Sequence, residues 1–131
     1  MGFFSRTSSR VKALNQIALG YQNAIIFLDK YDETGDESML EIAAWYIYAG
    51  ITVPIRAENL GPQHETNVMV DGQLVKMQMS ELFYNSYGRL ENLYNHLPQS
   101  EVSLLKDIAN GGESFKEIDA VIPDNIKIHF R

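Results

Sequence analysis

From Met39 to Tyr48 every residue except Glu41 is apolar or aromatic. A helix of that composition has almost no polar face, so it must run through the middle of a fold or be covered by a partner. Ser38 and Glu41 have the spacing of a capping box, which predicts where this helix begins, and Gly50 is its predicted stop. The other elements must surround it. A chain of 131 residues with 45% hydrophobic and 21% charged residues can do so as one globular domain, without metal or disulfide support. Cysteine is absent, which excludes disulfides, thiolate zinc sites, iron-sulfur clusters and cysteine nucleophiles together.

The surrounding elements are legible by period. Val11, Leu14, Ala18, Tyr21, Ile25 and Leu28 recur at alternating spacings of three and four, the pattern of one helical face, and Ile17, Ala24 and Tyr31 widen it. Ser8 or Ser9 is the expected N-cap. The run Asp32-Glu33-Thr34-Gly35-Asp36-Glu37 predicts a turn, hence a helical hairpin with the apolar helix. Ile51, Val53 and Ile55 alternate with Thr52, Pro54 and Arg56, which suggests a short edge strand. Val68 to Val75 reads as a β-hairpin whose Asp71-Gly72 pair suits a type I′ turn. Ser80 is expected to cap a third long helix carrying Leu82, Phe83, Leu90, Leu93, Tyr94 and Leu97, weakened by Gly88 and ended before Pro98. Ser100 opens a fourth helix with Val102, Leu105, Ile108 and Ala109, stopped by Gly111 and Gly112. Ser114 and Glu117 repeat the capping-box spacing for a short fifth helix before Pro123. Ile126, Ile128 and Phe130 then alternate with polar residues, a strand pattern expected to join the hairpin.

The fold class expected is α+β: one helix-dominated domain of about five helices, with a small antiparallel sheet formed by the β-hairpin and the C-terminal strand. The rival is an all-α bundle with a helix continuous through Asp71-Gly72. Residues 1–8 are expected to form a mobile N-terminal arm and residues 9–131 the globular domain. Leu14, Ile25, Leu28, Ile42, Trp45, Leu90, Leu93 and Leu105 are the predicted core.

The formal net charge of −6 opposes broad attraction to phosphate backbones, and the cations Arg6, Arg10 and Lys12 make only a sparse patch, so nucleic acid is a disfavoured partner. Phe3 and Phe4 are followed at once by Ser5, Arg6 and Thr7, too short a run for a signal peptide, and Arg6 stands where myristoylation requires Ser or Thr. The longest apolar stretch, Ile42 to Val53, is interrupted by Gly50 and Thr52 and reads as too short for a bilayer. No membrane is therefore expected, and the chain reads as cytoplasmic.

Catalytic and metal readings fail on spacing. Asp32, Thr34, Asp36 and Glu41 are oxygen ligands between helices, but counting from Asp32 an EF-hand would need glycine at Glu37 and glutamate at Ala43. His64-Glu65 is not followed by the second histidine of a zincin, because Val68 stands at that position, and His96 and His129 have no partner spacing. Hydrolase-elbow and phosphate-cradle motifs are absent, so no cofactor, metal or catalytic residue is assigned.

What remains is surplus apolar surface. Ile26 and Phe27 point away from the stripe of the first helix, Trp45 and Tyr48 project in different directions from the second, and Phe3 and Phe4 form a candidate docking arm. Phe3, Phe4, Ile26, Phe27, Trp45 and Tyr48 are accordingly the candidate interface. The function these features favour is a non-enzymatic protein-interaction module, a small regulator, inhibitor, immunity or assembly factor. Its partner would be another protein or a second copy in a homodimer. The alternative is a small-ligand protein binding a nucleotide or metabolite, with Tyr46, Tyr84, Tyr87 and Tyr94 among the residues available to a pocket.

Overall fold

The computed structural model describes residues 2–127, with side chains described from residue 9 to residue 125. It is 74% helical, with a two-stranded antiparallel sheet among the described residues, so the helix-dominated α+β class holds and the all-α bundle does not. Helix α1 spans Gly2–Thr34 and α2 spans Glu37–Ala57. Strands β1 (Glu65–Val70) and β2 (Gln73–Gln78) follow. A helical rod over residues 79–96, α3, leads to α4 (Gln99–Ala109), α5 (Glu113–Val121) and the single turn α6 (Asp124–Lys127).

The apolar helix is longer than its sequence predicts. Gly50 does not stop it, and Ile51 to Ile55 are helical instead of an edge strand. The chain passes Gly50 and Pro54 by widening into a π turn over Ile47–Thr52, in which the Val53 N–H donates to the Tyr48 carbonyl five residues back. A proline ring inside a regular α-helix collides with the carbonyl four residues earlier, and the wider turn relieves that collision. Gly50 serves packing instead. A Cβ at Gly20 would lie 2.7 Å from the Gly50 backbone, so α1 and α2 cross with their main chains in contact. The 21-residue helix is also long and apolar enough to cross a bilayer by length and composition, contrary to the estimate from Ile42 to Val53; half of its most apolar window is buried inside the fold.

Close crossing sets the buried stripe of α1. Its buried apolar positions are Ala13, Ile17, Ala18, Tyr21, Ala24 and Leu28, whereas Leu14 and Ile25 are half-buried and Val11 is exposed. Ala13, Ala18, Gly20 and Ala24 share that stripe with Ile17, Tyr21 and Leu28, and Leu14 and Ile25 sit at its flank. Of the predicted core, Leu28, Trp45, Leu90 and Leu105 are buried, and Ile42 and Leu93 are half-buried beside Leu14 and Ile25. Since α1 is helical from Gly2, Ser8 and Ser9 are interior to it and cap nothing; the side chains of Phe3 and Phe4 lie outside the described residues.

The other caps also shift. Asp36, not Ser38, caps α2, accepting from the Ser38 amide at 3.0 Å and the Ser38 hydroxyl at 2.7 Å. At the start of α3 the Met79 and Ser80 amides donate to the His64 and Pro62 carbonyls, at 2.8 and 3.0 Å, so loop backbone replaces the serine cap. Ser86 is fully buried in the π turn of that rod and donates to the Leu82 carbonyl at 2.8 Å, occupying an acceptor where the helical register changes. Helix α4 ends in a Schellman motif: Gly111 has φ +74° and donates to Ile108, and Gly112 donates to Asp107.

The hairpin follows its sequence. Asp71 and Gly72 have φ of 51° and 80°, as a type I′ turn requires, and the register pairs Val70 with Gln73, Met69 with Leu74 and Val68 with Val75. The expected third strand does not begin where predicted. Ile126 and Lys127 belong to α6, because Pro123 starts a new helical turn at Asp124, and Ile128 and Phe130 lie outside the described residues.

Candidate functional site

Trp45 is enclosed by its own chain. It is 2% exposed, its ring stacks on Phe115 of α5 at 6.2 Å, and its Nε1–H donates to Asp119 Oδ1 at 3.2 Å. Tyr48 packs edge-on against the same Phe115 at 4.8 Å, so α5 covers the side of α2 that the sequence left open. Phe27 is half-buried and stacks on Tyr46 at 5.8 Å, with the Lys30 ammonium 4.7 Å from its ring. Trp45 is therefore covered within its own chain, and Tyr48 and Phe27 also make internal ring contacts. Of the four candidates with described side chains only Ile26 is exposed, at 46%; Phe3 and Phe4 lie outside the described side chains.

Ile26 has other company. It shares a shallow cleft of about 290 Å³ with Met69 and Asp71 of the hairpin. Met69 is 47% exposed and pairs across the sheet with Leu74, 67% exposed, so an apolar strip runs from α1 over the outer face of the hairpin. The two sheet edges differ. On β1, the Met69 N–H donates to Gln22 Oε1 at 2.9 Å and the Thr66 hydroxyl donates to the Leu14 carbonyl at 3.2 Å, so α1 closes that edge. The outer edge of β2 over residues 73–76 makes no hydrogen bond to another element among the described residues, and those residues are exposed. Met69 and Leu74 were not singled out by sequence reasoning. The signal was present: an I′ turn at Asp71-Gly72 pairs these two residues on one face.

A second concavity of about 460 Å³ lies between the C-terminal part of α2, the loop over residues 58–64 and the start of α3. It is placed below the aromatic rod's first turn, not between the tyrosine-bearing helices and the sheet. His64 braces the loop behind it, its Nδ1 accepting from the Gly61 amide at 2.9 Å. Glu65 is exposed on β1 and His96 is exposed at the end of α3, so the structure does not bring the sequence's acid-base candidates together. His129 lies outside the described residues. No group of three or more His, Asp or Glu side chains is placed to hold a metal ion among the described residues.

Two carboxylates are perturbed: hydrogen bonds from the Ser38 side chain and backbone lower Asp36, whereas Glu101 is raised. Glu101 of α4 faces Glu41 and Glu37 of α2, and its Oε1 is buried without a hydrogen-bond partner. Burial, a hydrogen bond with Glu41 and the charges of Glu41 and Glu37 push Glu101 up to about 7. Tyr46 is raised by burial to about 12.

Comparison with protein-family models, curated proteins and solved structures finds no match. The fold and its surface thus define the class on their own: a helix-dominated α+β domain in which, among the described residues, one sheet edge is unpaired beside an apolar strip.

Proposed function

We propose that this chain is a non-enzymatic protein-interaction module that self-associates through the outer edge of β2. The observation that carries the reading is the apolar strip of Ile26, Met69 and Leu74 lying beside the one hairpin edge that α1 does not close. An antiparallel strand paired with its own copy about a two-fold axis is self-complementary, and strand addition supplies main-chain hydrogen bonds while alternate side chains supply specificity. Charge favours this face. Between Thr66 and Ser80 the only charged residues are Asp71 and Lys76, so two copies of a chain of net charge −6 meet there with the least repulsion. A regulatory, inhibitory, immunity or assembly role would be exercised through that surface. A cytoplasmic setting belongs to the same proposal, supported by the burial of half the apolar α2 window within the fold.

Sedimentation velocity at micromolar concentration tests it. The native chain should sediment as a dimer and Leu74→Glu as a monomer with unchanged helical circular dichroism. A native chain that stays monomeric would refute self-association.

A further inference from the structure

The cleft beside the start of α3 has a chemistry of its own. Ile55, Leu60, Met79 and Phe83 make an apolar wall, and the polar side chains at its margin are Thr52, Arg56 and Ser80. Its volume of about 460 Å³ falls within the range of small-molecule sites.

The cleft is built in advance of any ligand. The loop forming its far wall is fastened at several points: Leu60 N–H donates to the Ile55 carbonyl at 3.0 Å, Gly61 N–H to His64 Nδ1 at 2.9 Å, and Ser80 N–H to the Pro62 carbonyl at 3.0 Å. Such a loop does not have to be ordered at the moment of binding, which removes one cost of association. Phe83 is held by stacking on Tyr87 at 5.2 Å, yet remains 37% exposed on the cleft side of the rod.

Arg56 decides the class of ligand. It is exposed in the last turn of α2, and none of the ion pairs of the described residues includes it. The lining contains no carboxylate. In a chain with 17 acidic and 11 basic residues, a cation outside those ion pairs at the mouth of an apolar cleft whose lining holds no carboxylate is an uncommon local balance. Guanidinium binds carboxylate through paired, charge-assisted hydrogen bonds, and the Ser80 hydroxyl can add a further donor. The geometry points to this cleft as a binding site for a small apolar carboxylic acid, whose hydrocarbon lies against Ile55, Met79 and Phe83 and whose carboxylate meets Arg56.

The site is separate from the β2 edge, so its test does not depend on self-association. Isothermal titration calorimetry with decanoate and decanol compares two ligands that differ in the head group. The native chain should bind decanoate in the micromolar range and decanol more weakly by about tenfold, the worth of one charge-assisted contact. Arg56→Gln should reduce decanoate affinity to that of decanol and leave decanol unchanged, Arg56→Lys should restore part of the difference, and Phe83→Ala should weaken both ligands. Arg56 is at the surface, so its replacement spares the core. Absence of decanoate binding to the native chain, or equal affinities for the two ligands that Arg56→Gln does not alter, would overturn the assignment.

Discussion

Gly20 and Glu101 show how single residues set the limits of this fold. With its Cβ position 2.7 Å from the Gly50 backbone, Gly20 has no room for a side chain, and Gly20→Ala forces α1 and α2 apart. Overpacking of this kind should cost about 1–3 kcal/mol, read as a lower midpoint in urea unfolding. An unchanged midpoint would mean that the helices can separate without loss. Glu101 governs pH dependence. Its folded value of about 7 lies above the ordinary 4.5, so the folded state holds an extra proton between those values. Stability from this group is therefore greatest below that window and declines as pH rises through it. Thermal melts between pH 5 and pH 8 should show the decline, and Glu101→Gln should flatten it and stabilise the protein at the alkaline end. Neither residue stands out in sequence. Gly20 interrupts an ordinary helical stripe, and Glu101 acquires its carboxylate neighbours only when α4 packs on α2.

At the scale of elements, periodicity located the helices well and their ends poorly. The hairpin was legible because an Asp-Gly pair specifies both turn and register through local backbone geometry. Caps were less so, because the partners came from elsewhere in the chain. Ser114 has the spacing of a capping residue, yet α5 is capped by Asp107 of α4, whose Oδ2 accepts from the Ser114 amide at 2.7 Å. Asp107→Ala should lower stability by about 1 kcal/mol and speed hydrogen exchange at Ser114, whereas Ser114→Ala should do little. Equal losses from both variants would restore the local capping box. Ile51 to Ile55 failed for a related reason: alternation and a proline suggested a strand, but the π turn let the helix continue through them.

For the whole molecule, the proposed dimer at the strip beside β2 would link stability to assembly. If two copies meet there, the folded dimer draws the unfolding equilibrium by mass action, and the melting temperature should rise with protein concentration. Differential scanning calorimetry over a wide concentration range should detect that rise in the native chain and not in Leu74→Glu. A concentration-independent native melt would count against the dimer independently of sedimentation. Arg89, which bridges Asp29 and Asp32 at 2.7 Å each, ties the end of α1 to α3, but these pairs are exposed and contribute little to such a measurement.

The sequence by itself determined the helix-dominated α+β class, the central place of the Met39–Tyr48 segment and the hairpin at Asp71-Gly72, since each follows from composition, period or backbone preference within a short window. Tertiary structure decided what is surface. It covered Trp45 with Phe115 and Asp119, set Gly20 of α1 against Gly50 of α2, and closed β1 with Gln22 while the outer edge of β2 stays unpaired among the described residues. Exposure depends on which element packs over a side chain, and the contacts that settle it join residues far apart in the chain.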